Sequence, residues 1–254
     1  MVNKKIKKER ITLDHNSSVP FFIQIAETMK RRILSGQYSP GRQLFTGEEL
    51  EKEFQTSNIT IRKAMDKLKN DGFVGRRRGL GTTVSEIESE SLPFELGRNF
   101  NKLKESIKKM DTKVEVLEIT TTTSSKYLEN FLSIDSEQEI WRLKRNRIYK
   151  GLPVSYNAYY ADSSYCSGIS KEDAEKDDIL DTIETSMGIK MHKVDQTLKS
   201  IVADLDISGA LKIPFGAPVF FNESAYQSAE GKTVLLSQSY FRGDMFVFRS
   251  TSLL

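Results

Sequence analysis

Residues 58–84 read NITIRKAMDKLKNDGFVGRRRGLGTTV, and this stretch decides how the N-terminal part of the chain folds. Its first half has one apolar stripe at the i, i+3, i+4, i+7 spacing of a helix: Ile61, Ala64, Met65 and Leu68. Gly72 supplies the C-terminal stop of that helix. A short strand, three arginines, a Gly-Leu-Gly tip and a Thr-Thr-Val strand follow. This order predicts an amphipathic helix followed by a basic β-wing.

Two further helices are predicted before this stretch. The first runs between Pro20 and Ser35, where apolar residues recur at helical spacing: Phe22, Ile25, Ala26, Met29 and Ile33. Thr46 is suited to cap the second, shorter helix, whose first turn is acidic. Ser57 can cap the third. Three helices and a hairpin in this order predict a winged helix-turn-helix, whose third helix enters the major groove of DNA by its N-terminal end.

Charge is distributed unevenly along the chain. Residues 1–84 carry 17 Lys and Arg against 9 Asp and Glu, whereas residues 85–254 carry 21 against 26. A basic N-terminal part favours contact with a polyanion. The run Arg76, Arg77 and Arg78 is also explained by a charged guard on an edge strand. Its place directly after the third helix favours DNA contact instead.

Composition excludes several classes of protein. None of the 254 residues lies in a run long and apolar enough to cross a bilayer, and no signal peptide follows the basic start. Cys166 is the only cysteine, so no internal disulfide is possible and a reducing cytoplasm is expected. The only histidines are His15 and His192. We expect no metal, no cofactor and no enzymatic activity, because neither metal-ligand spacing nor a nucleophile or phosphate-loop motif occurs.

We predict four segments: a flexible basic arm over residues 1–18, the winged helix-turn-helix over 19–84, a polar linker over 85–92 and a second domain over 93–254. In the second domain, strand patterns are predicted at 113–122, 140–150, 153–161, 191–203, 219–226, 233–241 and 246–249. Helices are predicted at 99–110, 127–132, 179–187 and 204–211. Neighbouring strands joined by turns imply an α+β domain with an antiparallel sheet.

Residues 19–84 resemble the winged helix-turn-helix of the GntR family of bacterial transcription regulators. The resemblance rests on FIQI at 22–25, RILSG at 32–36, PG at 40–41, EL at 49–50, TIRKA at 60–64, DG at 71–72 and RRRGLGT at 76–82. The remainder resembles the UTRA effector domain of the HutC subfamily, through RNR at 145–147, GLP at 151–153, GI at 188–189, IPFGAP at 213–218 and SQSYFRGD at 237–244. Such domains are similar in fold to chorismate lyase, bind small molecules and dimerise.

The resemblance implies a ligand-responsive repressor that binds a pseudo-palindromic double-stranded DNA operator as a homodimer. Arg62 and Asn58 would read bases, and Arg78 with Gly79 would place the wing in or beside the minor groove. The other polar and basic groups would hold phosphates. The predicted DNA-binding residues are Thr46, Asn58, Thr60, Arg62, Lys63, Arg76, Arg77, Arg78, Gly79 and Gly81.

Two departures from the GntR pattern bear on the operator. Glu48 occupies the place of a DNA-contacting arginine before the second helix, and Asn58 replaces the arginine that often precedes the Thr-Thr-Val-Arg run. Asparagine suits adenine rather than guanine, and a carboxylate near DNA repels phosphate. We therefore expect an operator that differs from the family's common one.

The effector is predicted to be a small anion: a sugar phosphate, an organic acid or another acidic metabolite. Arg145 and Arg147 alternate along one strand and so share a face, and two guanidiniums there suit an anionic group. Backbone donors near Gly97 and Asn99 would add to this site. Asn157 replaces a carboxylate common in the family, which disfavours an amino sugar phosphate. Further candidate lining residues, of which each tyrosine is equally explained by core packing, are Tyr156, Tyr160, Ser237, Ser239 and Tyr240.

Two other functions stay open at this point. The lyase-like fold suggests the hypothesis of a lyase-like enzyme. The missing arginines suggest the hypothesis of a degenerate regulator that acts through protein partners. The retained Arg62 and the arginine run weigh against the second. Gel shifts at varied salt distinguish the degenerate regulator from a sequence-specific one. Salt-sensitive binding without sequence preference would favour the degenerate regulator.

Overall fold

The computed structural model describes residues 12–41, 43–44, 46–77, 81–86, 92–94, 111–132, 134–135 and 138–248, of which 77, 92–94 and 248 are described by their backbone only. The chain divides into two compact units, residues 1–89 and 90–254. Each unit has its own hydrophobic clusters. The described part holds no helix that is long and apolar enough to cross a membrane.

The N-terminal unit consists of three helices and a hairpin, as the apolar spacing predicts. The helices are α1 (Phe21–Leu34), α2 (Gly47–Phe54) and α3 (Asn58–Asn70), and the hairpin strands are β1 (Val74–Arg77) and β2 (Gly81–Val84). The apolar stripe of α3 is buried at Ile61, Ala64 and Leu68 against α1 and α2. The hairpin is antiparallel, and Leu44 N donates to Thr82 O at 2.9 Å, so the segment before α2 lies along β2.

Helix ends follow the predicted caps. The Thr46 hydroxyl accepts from Glu49 N at 3.3 Å while the Glu49 carboxylate accepts from Thr46 N at 2.8 Å, a reciprocal capping box. Ser57 Oγ accepts from Thr60 N at 3.4 Å. Gly72, with φ +80°, follows α3 in the left-handed region that glycine adopts at little cost. These local bonds fix where α2 and α3 begin and hence what each presents outward.

One ion pair links α1 to α2. Arg32 Nη2 lies 2.7 Å from Glu53 Oε1, and their side chains are only 8% and 13% exposed. The guanidinium also lies over the Phe54 ring, with 5.6 Å to its centroid. A buried charge needs such partners, because an unpaired one carries its full desolvation cost.

The C-terminal unit is built on a six-stranded antiparallel sheet with the order β4-β5-β6-β9-β8-β7. Its strands are β4 (Thr112–Thr123), β5 (Glu139–Tyr149), β6 (Leu152–Asp162), β7 (Lys193–Val202), β8 (Pro218–Gln227) and β9 (Thr233–Arg242). The predicted hairpin turn at Lys150 and Gly151 is confirmed, with both residues at positive φ. The predicted α+β class with an antiparallel sheet is therefore correct.

Helices cover both faces of this sheet. On one face, α5 (Ser163–Cys166), α6 (Lys171–Ala174) and α7 (Ile179–Met187) pack on Trp141 and Leu143. On the other face, α4 (Lys126–Leu132) packs near Ile140, and α8 (Leu205–Leu211) packs near Tyr156 and Tyr240. The sheet thus has two differently lined faces, and strand alternation assigns each residue to one of them.

Three features differ from the sequence prediction or lie beyond it. The four-residue helices α5 and α6 are too short to show an apolar period, although Asp162 and Ser170 cap them. Strand β3 (Leu92–Phe94) pairs in parallel with β10 (Phe246–Phe248), a contact between distant segments that no local pattern encodes. The helix predicted at 99–110 lies outside the described residues.

Candidate DNA-binding surface and effector site

The outward side of α3 is polar and basic at its N-terminal end. Asn58, Ile59, Arg62 and Lys63 are all exposed there, whereas Ile61 is buried. The helix N-terminus also carries the partial positive charge of its free N–H groups. This end therefore offers donors and cations to a polyanion.

Three of the predicted polar contacts are engaged within the protein. The Asn58 Nδ2 group donates to Glu51 Oε1 of α2. Space beside that amide is left by Gly47, where an added Cβ would lie 3.5 Å from Asn58 Nδ2. Thr60 Oγ1 lies 3.0 Å from Ser57 Oγ, and Thr46 is held in the capping box. Arg62 and Lys63 are the cations that remain directed outward on this turn.

A groove of about 340 Å³ separates α3 from the wing. Arg62 and Lys69 line it from the helix, Arg76 and Gly81 from the wing, and Thr46 from the start of α2. Gly81 has φ +75°, a conformation that glycine adopts readily. The side chain of Arg77 and all of Arg78 and Gly79 lie outside the described residues. The groove brings four predicted DNA-binding residues, Thr46, Arg62, Arg76 and Gly81, together along one concave surface, with Lys69 beside them as an unpredicted cation.

The two predicted effector arginines hold a loop of the same domain. Arg145 Nη1 donates to Ala174 O at 3.1 Å and to Lys176 O at 2.7 Å, and its Nη2 donates to Asp177 O at 3.4 Å. Arg147 Nη1 donates to Thr112 Oγ1 and to Asp177 Oδ1, each at 2.7 Å. Both guanidiniums therefore fasten the segment that leads into α7, a role that the strand pattern does not reveal.

A buried polar row crosses four strands beside these arginines. The register pairs Arg145 with Asn157, Asn157 with Ser239, and Ser239 with Asn222, and all four residues are buried. We call this side of the sheet the arginine face. Other buried polar residues on it are Ser155, Ser224 and Ser237. Oδ1 of Asn222 has no hydrogen-bond donor among the described residues. An unpaired buried acceptor is costly unless a ligand or water supplies a donor.

The predicted tyrosines occupy the opposite side. Tyr156 pairs with Tyr240 across β6 and β9, and Tyr160 lies two pleats along β6, so these three define the tyrosine face. Their rings are half-buried, and Tyr156 stacks on Tyr240 with 5.5 Å between centroids. Burial raises the pKa of Tyr156 to about 12. The predicted effector residues are therefore divided between two faces, and Tyr156 cannot share a pocket with Arg145 through the sheet.

Other predictions about this domain have mixed outcomes. Arg242 and Asp244 form the expected ion pair in the turn, at 2.7 Å. Gly97 and Asn99 lie outside the described residues. Asn222, Ser224 and Ser155 were not predicted, although strand alternation could have indicated them once the pairing register was known. No cluster of three His, Cys, Asp or Glu suited to a metal occurs within the part of the chain described above.

Comparison with known families assigns both units. The family of bacterial regulatory proteins named gntR matches residues 23–84, and the UTRA domain matches residues 108–247. Among curated relatives, the HTH-type transcriptional repressor NagR of Bacillus subtilis (strain 168) is 24% identical, covering 94% of this chain and 97% of its own length. The mannosyl-D-glycerate transport/metabolism system repressor MngR of Escherichia coli (strain K12) is 24% identical over 90% and 94%.

A further relative and two solved structures agree. The uncharacterized HTH-type transcriptional regulator YurK of Bacillus subtilis (strain 168) is 30% identical over 65% of this chain and 70% of its own. The crystal structure of the possible transcriptional regulator YydK from Bacillus subtilis has a TM-score of 0.56 at 21% identity, over 92% and 100% of the two chains. PhnF from Mycobacterium smegmatis has a TM-score of 0.56 at 19% identity, over 90% and 99%. At these identities the two structures show a shared fold.

Proposed function

Because the chain belongs to the GntR family of bacterial transcription regulators and carries a UTRA domain, we propose that it is a ligand-responsive repressor. It binds a pseudo-palindromic operator as a homodimer and is controlled by a small metabolite. Relatives named as repressors support this direction of control. The family consists of regulators, so the resemblance of the second domain to a lyase fold does not make the protein an enzyme.

The observation that carries the DNA-binding role is the exposed N-terminal end of α3 beside the groove and the wing. With α3 in the major groove, Arg62 reaches base edges, since guanidinium donates two parallel bonds to guanine. Lys63 and Arg76 bind phosphates on either side of this contact. The sugar-phosphate backbone that separates the major groove from the minor groove lies along the concave surface between α3 and the wing. Phosphate contacts set the register, and base contacts supply specificity.

We place the effector on the arginine face, over the row from Arg145 to Asn222. Two neutral amides and the buried serines suit a ligand with several hydroxyl groups, one of which would donate to Asn222 Oδ1. Arg145 has five N–H donors, of which three have carbonyl partners among the described residues, so it retains donors for a carboxylate or phosphate. The name of MngR ties that relative to mannosyl-D-glycerate, which is a sugar joined to a carboxylate.

The tyrosine face is our candidate for the dimer surface. Aromatic side chains are enriched at protein interfaces, and this face offers three half-buried tyrosines. Beside them Glu118 pairs with Arg142 and with Lys144, whose Nζ lies 3.1 Å from Glu118 Oε2. Charges of both signs on one patch allow a two-fold copy to complement itself. Light scattering on wild type and on Tyr240→Glu tests this; a dimer of unchanged stability in the variant would contradict it.

Control by the effector follows from linkage. A ligand that binds one arrangement of the dimer more tightly shifts the population toward that arrangement. The size of the shift is limited by the difference in ligand affinity between the two arrangements. The two DNA-binding domains must be correctly spaced to occupy two half-sites. Residues 85–92 join each to its effector domain, so a change in this linker is the simplest route of control.

The experiment begins with a thermal-shift screen of phosphorylated sugars, sugar acids and organic acids, followed by gel shifts on DNA upstream of the protein's own gene. We expect one ligand class to raise the melting temperature and to change operator binding. Salt-sensitive binding without sequence preference would instead favour a degenerate regulator that acts through protein partners.

A matched pair of variants tests the effector site. Asn222 and Asn146 are equally buried, and each has an unpaired Oδ1, but they lie on opposite faces. We expect Asn222→Leu to abolish the ligand-induced shift and Asn146→Leu to retain it. Each variant also loses one amide donor bond, from Asn222 Nδ2 to Ser224 Oγ at 3.0 Å or from Asn146 Nδ2 to Ala210 O at 2.8 Å. Both should therefore lose stability by about 1–3 kcal/mol, and each is compared with its own melting temperature without ligand. Equal loss of response in both would contradict the placement.

A further inference from the structure

Ile59 is an apolar side chain at the reading end of the recognition helix. It is 68% exposed, more than Val19 (42%) and Leu34 (61%), the other exposed large apolar residues described in the N-terminal unit. Single exposed apolar residues are common on protein surfaces and by themselves need no explanation. The position of Ile59, second in α3 and next to Arg62 and Lys63 across one helical turn, gives it significance.

The polar side chains around Ile59 are hydrogen-bonded within the protein. Asn58 donates to Glu51 on α2, and Ser57 and Thr60 are bonded to each other at 3.0 Å. The first turn of α3 therefore exposes an aliphatic group beside an amide and two hydroxyls that already have hydrogen-bond partners. Arg62 and Lys63 flank it with charge and hold the helix end close to DNA.

One apolar group is displayed on base edges in the major groove, the C5-methyl of thymine. We propose that Ile59 contacts this methyl group and so selects thymine at one position of each half-site. The inference rests on the proposed operator binding and specifies part of the sequence that is read. It also transfers specificity at this turn from the hydrogen bonds of Asn58 to an apolar contact.

Deoxyuridine differs from thymidine by the loss of this methyl group, which makes it a direct probe. An operator is first selected from random duplexes with the full-length wild-type protein. Each thymine of one half-site is then replaced in turn by deoxyuridine, and affinity is measured by gel shift at one salt concentration. We expect one position to lose about fourfold in affinity, the effect of about one buried methyl group.

The matching protein variants complete a double-mutant cycle. Ile59→Ala should bind the thymine and uracil operators equally, whereas Ile59→Val should retain most of the preference. Leu34→Ala, which removes another exposed apolar side chain, on α1, should behave as wild type. Thermal unfolding of each variant should match wild type, because the side chains removed are exposed.

The outcomes separate this inference from the proposed function. Selection that yields no enriched sequence overturns the operator-binding function and the Ile59 contact with it. An enriched operator in which no thymine is sensitive to uracil overturns the contact alone. The same follows if Ile59→Ala keeps the full thymine-to-uracil ratio of wild type.

Discussion

At the start of α3, adjacent side chains have different surroundings. Asn58 is bonded to Glu51 on α2, while Arg62, one turn later, is exposed and lines the groove beside the wing. A residue type alone would rank the asparagine and the arginine as equal base readers. The amide already has a partner, so we expect specificity at this turn to depend on Arg62 and on Ile59.

We predict that Arg62→Ala weakens operator binding by about 1–3 kcal/mol and relaxes base preference, as expected for a lost guanine contact. Gel shifts on the selected operator and on single-base variants measure both effects. Lys190→Ala, which removes an exposed cation from the effector domain, serves as the control and should bind as wild type. An unchanged operator affinity for Arg62→Ala would refute its assigned role.

Cys166 illustrates how burial controls reactivity. The thiol is fully buried, and burial raises its pKa from 9.0 to about 12. We predict that the native protein reacts with a thiol reagent at pH 8 only at its unfolding rate, whereas denaturant releases one reactive thiol. Because the unfolded thiol ionises first, the free energy of unfolding should fall as pH rises from about 9 toward 12, and less so in Cys166→Ala. Rapid native labelling would contradict the burial.

At the level of elements, caps and turns locate the helices and strands. Thr46 and Glu49 close α2 with a capping box, and Lys150 with Gly151 turns β5 into β6 through two residues at positive φ. Each device is local in sequence and is made of a residue type suited to it. The same residue type can have opposite consequences elsewhere, as two glycines of the C-terminal unit show.

We predict that Gly243→Ala destabilises the effector domain, whereas Gly209→Ala does not. A Cβ on Gly243 would lie 2.6 Å from Pro218 O, to which Gly243 N donates at 3.0 Å, so the backbone must move. A Cβ on Gly209, inside α8, has nothing within 4 Å, and alanine there should stabilise by roughly 0.5–1 kcal/mol. Urea unfolding of both variants provides the test; a neutral Gly243→Ala would be inconsistent with the close approach.

At the scale of the whole molecule, the two units differ in charge, although each buries its own hydrophobic clusters. The basic balance of residues 1–84 suits a polyanion, while the rest of the chain, slightly acidic, builds a sheet with helices on both faces. Binding that depends on phosphate contacts must weaken as salt concentration rises. The protein displaces counterions from the DNA phosphates when it binds, and a higher salt concentration opposes their release. The salt dependence of binding therefore distinguishes side-chain cations that bind phosphate from those that are only exposed to solvent.

We predict that Arg76→Gln reduces the slope of log affinity against log salt concentration by about one for each protomer bound, with little change in base preference. Arg76 is exposed on β1 and lines the groove. Fluorescence anisotropy at several salt concentrations measures the slope, and Lys190→Gln in the effector domain should leave it unchanged. A slope equal to that of wild type would place Arg76 away from DNA.

Sequence patterns predicted most elements because those patterns are local. The apolar stripe of α3, the cap at Ser57 and the turn at Lys150 each depend on residues within a few positions, and all three are present. The short α5 and α6 were missed because four residues are too few to show a helical period. The pairing of β3 with β10 was missed because these strands are far apart in sequence and are brought together only by the tertiary fold.

The sequence by itself determined that this protein has a winged helix-turn-helix, that its basic charge lies there, and that Arg145 and Arg147 share one face of a strand. Only the tertiary structure decided that Asn157, not Tyr156, shares that face. Alternation along β6 shows that these two neighbours point to opposite faces, but the register with β5 is needed to tell which of them lies on the face of Arg145. It also decided that Arg145 holds carbonyls some 30 positions away, and that the Asn58 amide is bonded to Glu51 while Ile59 beside it is exposed. Such contacts join segments distant in sequence, and no local spacing encodes them.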